Sequence, residues 1–270
     1  MKLNHLFSMA LTGLVACAVW SCDTVAEEDR LVYVKKPEVK RSVLIEDFTG
    51  QNCVNCPAAT EVIEQLQEEF GDSVIIAVGI HSGPFGHRSG MSSARLPLCT
   101  ETGDEYYKHW NIEAQPGVMI NRSAPVYNTA LYGEKVRGAL ETTTPLSMEL
   151  GVEYDNATKS AAINIQATTS ENCSGKLQVW VIENNVVGQQ QMPGNVMNRE
   201  YVHQHVFRIS VTNDIYGDDF SVTDAAPATA SYMVTLDETW VPENLAIVAF
   251  VSNTSNGVLQ VVKTALTTNE

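Results

Sequence analysis

One segment constrains this chain more than any other: Ser42 to Pro57, SVLIEDFTGQNCVNCP. Val43-Leu44-Ile45 is an apolar run that reads as a buried strand, and it leads into Asp47-Phe48. Six residues after Asp47 comes Cys53-Val54-Asn55-Cys56. Helical spacing follows at once: Ala59, Val62, Ile63, Leu66 and Phe70 share a face, with Pro57 in the first turn and Gly71 as the stop. The pattern mounts a dithiol on a strand-to-helix turn. Cys53 at a helix N-terminus meets exposed N–H groups and the positive end of the dipole, which favour a thiolate. Asp47, near the end of the buried strand, is placed to pass a proton to or from the inner thiol, Cys56.

A single C-x-x-C is also half of a zinc site. A zinc site needs further Cys or His ligands at suitable spacing. Cys99 and Cys173 stand alone and no second C-x-x-C exists, so no metal site is assigned. Gln115-Pro116-Gly117 precedes another short strand, Val118-Met119-Ile120. A cis bond before Pro116 would set backbone beside the dithiol.

The remainder of residues 41–143 is mixed. Val74 to Ile80 reads as a second buried strand, Glu101 to Trp110 as a short helix and Asn128 to Glu141 as a closing helix. Residues 82–100, rich in Gly, Ser and Pro, form a long loop of the kind that is functional or disordered. Thr142-Thr143-Thr144-Pro145 marks a boundary. Beyond it, over 145–268, helical spacing gives way to alternating runs: Leu146–Tyr154, Ala161–Thr168, Lys176–Glu183, Val202–Thr212, Ala230–Leu236, Leu245–Ser252 and Val258–Leu266. Short strands separated by turn clusters argue for an antiparallel sandwich.

The N-terminus has its own logic. Met1-Lys2 is followed by an apolar run to Trp20, too short for a comfortable membrane span and suited to a signal peptide over residues 1–21. Small residues before a cysteine at the end of such a run look like a bacterial lipoprotein signal. Leu14-Val15-Ala16-Cys17 matches the consensus better; Cys22 is followed by a polar tether, residues 22–40, and leaves an even set of four thiols. Cys22 is therefore the expected lipidation site, Cys17 the alternative, and simple secretion a third reading. The net charge of −15 and the lack of any basic run argue against nucleic acid and anionic membrane surfaces as partners.

Other residues carry weaker signals. Cys99, ending the long loop, is a resolving thiol, a partner for Cys173, or a free thiol. His203 and His205, two apart on an expected strand, would share one face, where a solvated or cross-strand pair is expected over a metal pair. His81 and His87 flank the loop and are positioned to lower a thiol pKa or simply to sit exposed. Trp180 is expected in core, and Trp240, at a strand edge, in core or as a contact residue. No Ser-His-Asp signature, P-loop or dinucleotide-binding glycine pattern is present.

Residues 42–143 resemble a thioredoxin-like domain, through Asp47-Phe48, Cys53–Cys56, the following helix and the Pro116 turn. The leading β-α unit is missing, Asn52 stands where thioredoxins carry Trp, and Val54-Asn55 replaces Gly-Pro. The expected fold is thus an α/β thioredoxin-like domain followed by an all-β immunoglobulin/fibronectin-III-like sandwich. The whole chain also resembles the twenty-eight-kilodalton outer-membrane-protein family of anaerobic Gram-negative bacteria, through IEDFTGQNCVNCP, Pro116 and Tyr201-Val202-His203-Gln204-His205-Val206. That resemblance implies an outer-membrane location and a role described as adhesin or receptor. Two functions follow. In one, the anchored chain exchanges disulfides with exported clients, with Cys53 attacking, Cys56 resolving, Asp47 relaying the proton, Pro116 orienting the substrate and no cofactor beyond the cysteines. In the other, the chain binds a surface ligand and the dithiol is a permanent staple.

Overall fold

The computed structural model describes residues 39–92, 95–213 and 215–266. The elements run β1 (Val39–Lys40), β2 (Val43–Thr49), α1 (Cys56–Phe70), β3 (Ile75–His81), α2 (Glu101–His109), β4 (Gly117–Ile120), α3 (Tyr132–Leu140), β5 (Thr143–Thr144), β6 (Leu146–Asp155), β7 (Ser160–Thr169) and β8 (Cys173–Glu183). They continue with β9 (Val186–Met192), β10 (Val196–His203), β11 (Val206–Ser210), β12 (Asp218–Val222), β13 (Ala228–Thr235), β14 (Leu245–Asn253) and β15 (Gly257–Ala265).

Every residue of β2 and of β3 is buried. Such strands are covered on both faces, and a parallel pair joined by a crossover helix is the arrangement that covers them. β2 and β3 are parallel, with Asp47 opposite Gly79, and α1 crosses between them. β4 adds antiparallel on the other side of β2. Pro57 sits in the first turn of α1, and Gly71, at φ 94°, ends it where a side chain would be strained.

The outer edge of β3 does not end the sheet. Val206 of β11 pairs with Gly79 in parallel, β11 pairs antiparallel with β8, and β8 pairs with β14, which pairs with β15. One eight-stranded sheet therefore runs β15-β14-β8-β11-β3-β2-β4, with β12 also on β8. A second sheet, β13-β7-β6, packs face to face on its far part. Strand β8 shows the reason in its side chains. Leu177, Val179 and Val181 enter the core shared with β6 and β7, while Trp180 and Ile182 point into the core on the other face. That second core joins Leu44, Phe48, Ile76 and Val78 with Trp180, Phe207, Val248 and Phe250. The sheet rolls enough for Ser42 N–H to donate to Gln260 Oε1 at 2.9 Å and Val258 N–H to the Asn121 carbonyl at 3.1 Å.

The expected fold class is overturned. The chain is mostly strand, and it does not form an α/β thioredoxin-like domain followed by an immunoglobulin/fibronectin-III-like sandwich. The helix and strand signals of residues 42–141 are local and sit where the sequence puts them. The fold depends instead on what finishes the edge of β3 and covers Phe48 and Val78, and strands from beyond residue 146 do both. Trp180 is core as expected, and Trp240 is partly buried against the β6–β7 core under the Arg208 guanidinium. The expected strand Val202–Thr212 is split between β10 and β11, and the hairpin of β9 and β10 has no counterpart in the sequence reading.

Candidate functional site

Cys53 and Cys56 form a disulfide with an S–S distance of 2.06 Å. Cys56 opens α1 and Asn55 is its N-cap. The preceding turn is held by Cys53 N–H donating to the Gly50 carbonyl at 3.0 Å and Asn52 N–H donating to Phe85 at 2.9 Å. A glycine is needed at position 50, because a Cβ there would lie 2.5 Å from the Phe85 backbone. From the long loop, Arg95 Nη1 donates to Asn52 Oδ1 at 2.8 Å.

Both cysteines are closed off: Cys53 is 2% exposed and Cys56 1%. The cover is the β9–β10 hairpin. Gln190 Nε2 donates to the Cys53 carbonyl at 2.9 Å and lies 3.4 Å from that of Gly50. Gln191 N–H donates to Gln51 O at 2.8 Å, and Gln51 Nε2 returns a bond to Gln189 O at 3.1 Å. The dithiol turn is stitched along a strand more than a hundred residues away.

Asp47 sits beneath, 5% exposed, and desolvation pushes its carboxyl up to about 7. It shares a cavity of about 30 Å³ with Cys56, His81, Tyr201, His203 and His205. The His81 and His203 rings meet edge to face at 5.1 Å, and Tyr201 meets His203 at 4.8 Å. Burial drives His203 down to about 4, against a hydrogen bond to the Gln189 backbone that works the other way. It drives His205 to about 4 and His81 well below the usual histidine value. These are neutral imidazoles at physiological pH. Asp47 Oδ1, His81 Nδ1, His203 Nε2 and His205 Nδ1 all lack a hydrogen-bond partner while buried. The cavity is polar and large enough for a water or two to bridge such atoms.

This corrects the sequence reading of the histidines. His203 ends β10 and is buried, whereas His205 lies half-buried in the turn before β11 at φ 55°, so they are not a same-face strand pair, and His203 is not solvated. His205 Nε2–H donates to Gln67 Oε1 at 2.9 Å, and Gln67 Nε2 donates to Ile75 O at 3.0 Å. Neutral His81 offers the dithiol no cationic help, and His87 is buried, not exposed. Among the described residues no group of three or more His, Cys, Asp or Glu is placed to hold a metal ion.

The Gln115–Pro116 bond is cis, Pro116 is buried, and β4 follows with Gly117 opposite Phe48. Gln115 Nε2 donates to Thr49 O at 2.7 Å and Ser82 O at 3.0 Å, tying this turn to the end of β2. Cys99 and Cys173 are both free thiols, which removes the pairing between them. Desolvation pushes Cys99 up to about 12, the wrong direction for a resolving thiolate. Cys17 and Cys22 lie outside the described residues. The sequence reading missed the capping hairpin. The signal available was the turn Pro193-Gly194-Asn195, flanked by the strand-favouring Val186-Val187 and Tyr201-Val202.

The family model of Outer membrane protein Omp28 matches residues 103–270, a span that includes the capping hairpin and leaves out Cys53–Cys56. Among solved structures the chain is similar to HBP35 of Porphyromonas gingivalis, with a TM-score of 0.66 at 18% identity over 86% of this chain and 77% of that one. It is also matched to a domain of the outer membrane lipoprotein Omp28 from Porphyromonas gingivalis, with a TM-score of 0.34 at 20% identity over 47% of this chain and 92% of that one. A search of curated proteins matches nothing. By the family match, which spans more than half of its length, this chain belongs to the Omp28 family of outer membrane proteins.

Proposed function

We propose that this outer-membrane-associated protein exchanges disulfides with exported protein clients, and that the β9–β10 hairpin holds its dithiol closed between turnovers. The observation that carries the reading is the cavity behind Cys56, where a buried carboxyl with a raised pKa and three neutral imidazoles gather against the inner sulfur. A permanent staple needs none of them, and titratable groups shifted by burial concentrate at functional sites.

In the oxidising direction a client thiolate attacks Cys53 Sγ once the hairpin has moved aside. A mixed disulfide forms, the Cys53–Cys56 bond breaks, and Cys56 leaves as a thiolate into a low-dielectric pocket. Asp47, whose carboxyl burial pushes up to about 7, supplies the proton. The second client thiol then attacks its own partner sulfur and releases Cys53. The client loses two electrons and the protein gains them as two thiols. Pro116 would orient a client strand, which requires its buried turn to open to the client as well. A lipid on Cys22, with Cys17 as alternative, would anchor the chain; mass spectrometry of the mature N-terminus in parent and Cys22→Ala decides between them.

The second reading, a surface binding protein with a structural disulfide, is favoured by the near-complete burial of both cysteines. Redox titration of the full chain in glutathione buffers, read by thiol alkylation and mass shift, separates the two. A midpoint above about −250 mV supports exchange; a disulfide still closed below roughly −300 mV is a staple and sinks the first reading.

A further inference from the structure

The open edges of the sheets are not alike. β4 is four residues long, and its Val118 exchanges both backbone hydrogen bonds with Val126, at 3.0 and 2.8 Å. β12 has five residues and carries Asp218 and Asp219. β10 carries Arg199 and Glu200 and breaks register between Asn198 and Tyr201. β6 leans on β15, where Thr264 Oγ1 donates to the Leu150 carbonyl at 3.0 Å. Short length, charge, bulges and cover are the means by which natural sheets keep foreign strands off their edges. β13 has none of them. Its eight residues pair with β7 without a register break, and among the described residues no strand lies on its other side. We propose that β13 is the contact through which two copies of this chain associate, edge to edge and antiparallel about a two-fold axis.

The residues of β13 suit that partner. Its sequence, ATASYMVT, has no charge, no proline and no glycine, and Thr229, Tyr232, Val234 and Thr235 are strand formers. Its inner row, Ala228, Ala230, Tyr232 and Val234, packs on the sandwich core yet is only half-buried. The row it meets on β7, Ala161, Ile163, Ile165 and Ala167, is almost wholly buried. The core is therefore incompletely covered at this edge. In the outer row Met233 is 69% exposed. A two-fold axis normal to the sheet leaves each face on its own side. Inner row then meets inner row, and small apolar side chains complete the cover. The product is one six-stranded sheet, an ordinary size.

Charge argues for a second copy. The chain carries −15, so two copies repel each other over most approaches. β7 and β13 contain no charged residue, and the chain is neutral from 225 to 236. Asp218, on the facing sheet, accepts from Tyr232 O–H and from Asn213 Nδ2, each at 2.9 Å. Glu149 and Glu153 of β6 stand two strands back from the seam. Those of the two copies would lie about 24 Å apart at the usual strand spacing, beyond a screening length of about 8 Å. A basic segment of another protein gains nothing from so neutral an edge, whereas a like-charged copy meets little opposition there.

The test is sedimentation equilibrium of the full chain from about 10 µM to 1 mM, with amide hydrogen exchange read over the same range. The variants are Met233→Lys, on the exposed row of β13, and Gln166→Lys, the same charge one strand back on the same face. Both should keep the parent's unfolding midpoint, so that lost association is not lost fold. A single edge contact is at the weak end of protein interfaces. The expected result is a reversible dimer, half-associated between about 10 µM and 1 mM and tighter at high salt, where screening removes the general repulsion. Exchange of the 228–235 amides then slows by about threefold or more as the dimer forms, while that of 218–222 is unchanged. Met233→Lys weakens association by about tenfold or more, and Gln166→Lys leaves it within about twofold. The proposal is overturned by a monomer throughout, by growth past the dimer, by a dimer whose 228–235 exchange is unchanged, or by the two variants behaving alike.

Discussion

Gln190 donates its side-chain amide to the backbone carbonyl of Cys53 at 2.9 Å, across 137 residues of chain. The same NH2 group lies 3.2 Å from its neighbour's carbonyl at Gln191 and 3.4 Å from that of Gly50. A strand that sequence gives no reason to associate with the dithiol thus closes over it.

Gln190→Ala removes that clamp and leaves the Cys53 carbonyl without its donor. The expected cost is about 1–3 kcal/mol in unfolding free energy, read from urea midpoints. Reduction and alkylation of Cys53 should quicken more than the stability loss explains. If the alkylation rate follows global stability alone, the hairpin is not a local gate.

Asp47 sets a pH dependence of definite sign. Its folded pKa, about 7, lies above its ordinary 3.8, so between those values the folded chain holds a proton that the unfolded chain has lost. Stability from this group is full below about 3.8 and is lost as pH rises to about 7, over a range of at most about 4 kcal/mol. Asp47→Asn should be more stable than the parent at pH 8 and show no such advantage at pH 4. Denaturant unfolding at the two pH values checks this; a variant less stable than the parent at pH 8 contradicts the assignment.

His203 acts in the opposite sense. Its folded pKa of about 4 lies below 6.5, so the unfolded chain takes up a proton first as pH falls. The stability lost between about 6.5 and 4 is about 3 kcal/mol. His81 and His205 shift in the same direction. Three imidazoles outweigh the single carboxyl of Asp47, and the fold should weaken on acidification through that window. His203→Gln should flatten the acid limb of a plot of thermal midpoint against pH. An unchanged limb would falsify the burial-driven origin of the shift.

Glu46 is wholly buried and pairs at 3.3 Å with Arg122, whose guanidinium also lies 4.7 Å from the Phe250 ring centre. Glu46→Ala strands a buried cation and should cost about 3–5 kcal/mol. The double change Glu46→Leu with Arg122→Met removes both charges and should recover much of that loss. A double-mutant cycle with no coupling would show that the two residues do not stabilise each other.

By itself the sequence determined the local pieces. Pro57, the spacing of Ala59, Ile63 and Leu66, and Gly71 fixed α1, and the unbroken apolar runs fixed β2 and β3 as buried strands. It also put Asp47 and the dithiol at the two ends of one turn. These are short-range effects: side-chain period, backbone freedom at glycine and proline, and helix-end chemistry act within a few residues. Only the tertiary structure decided which strand would finish the edge of β3, because any strand of matching burial satisfies that edge locally. The choice fell on β11, which brought His203 at the end of β10 and His205 in the turn after it against Asp47 and Cys56. His81 and His203, 122 positions apart in sequence, carry no mark that they will share a cavity. Burial by distant strands, not local pattern, set their charge state and closed the disulfide from solvent.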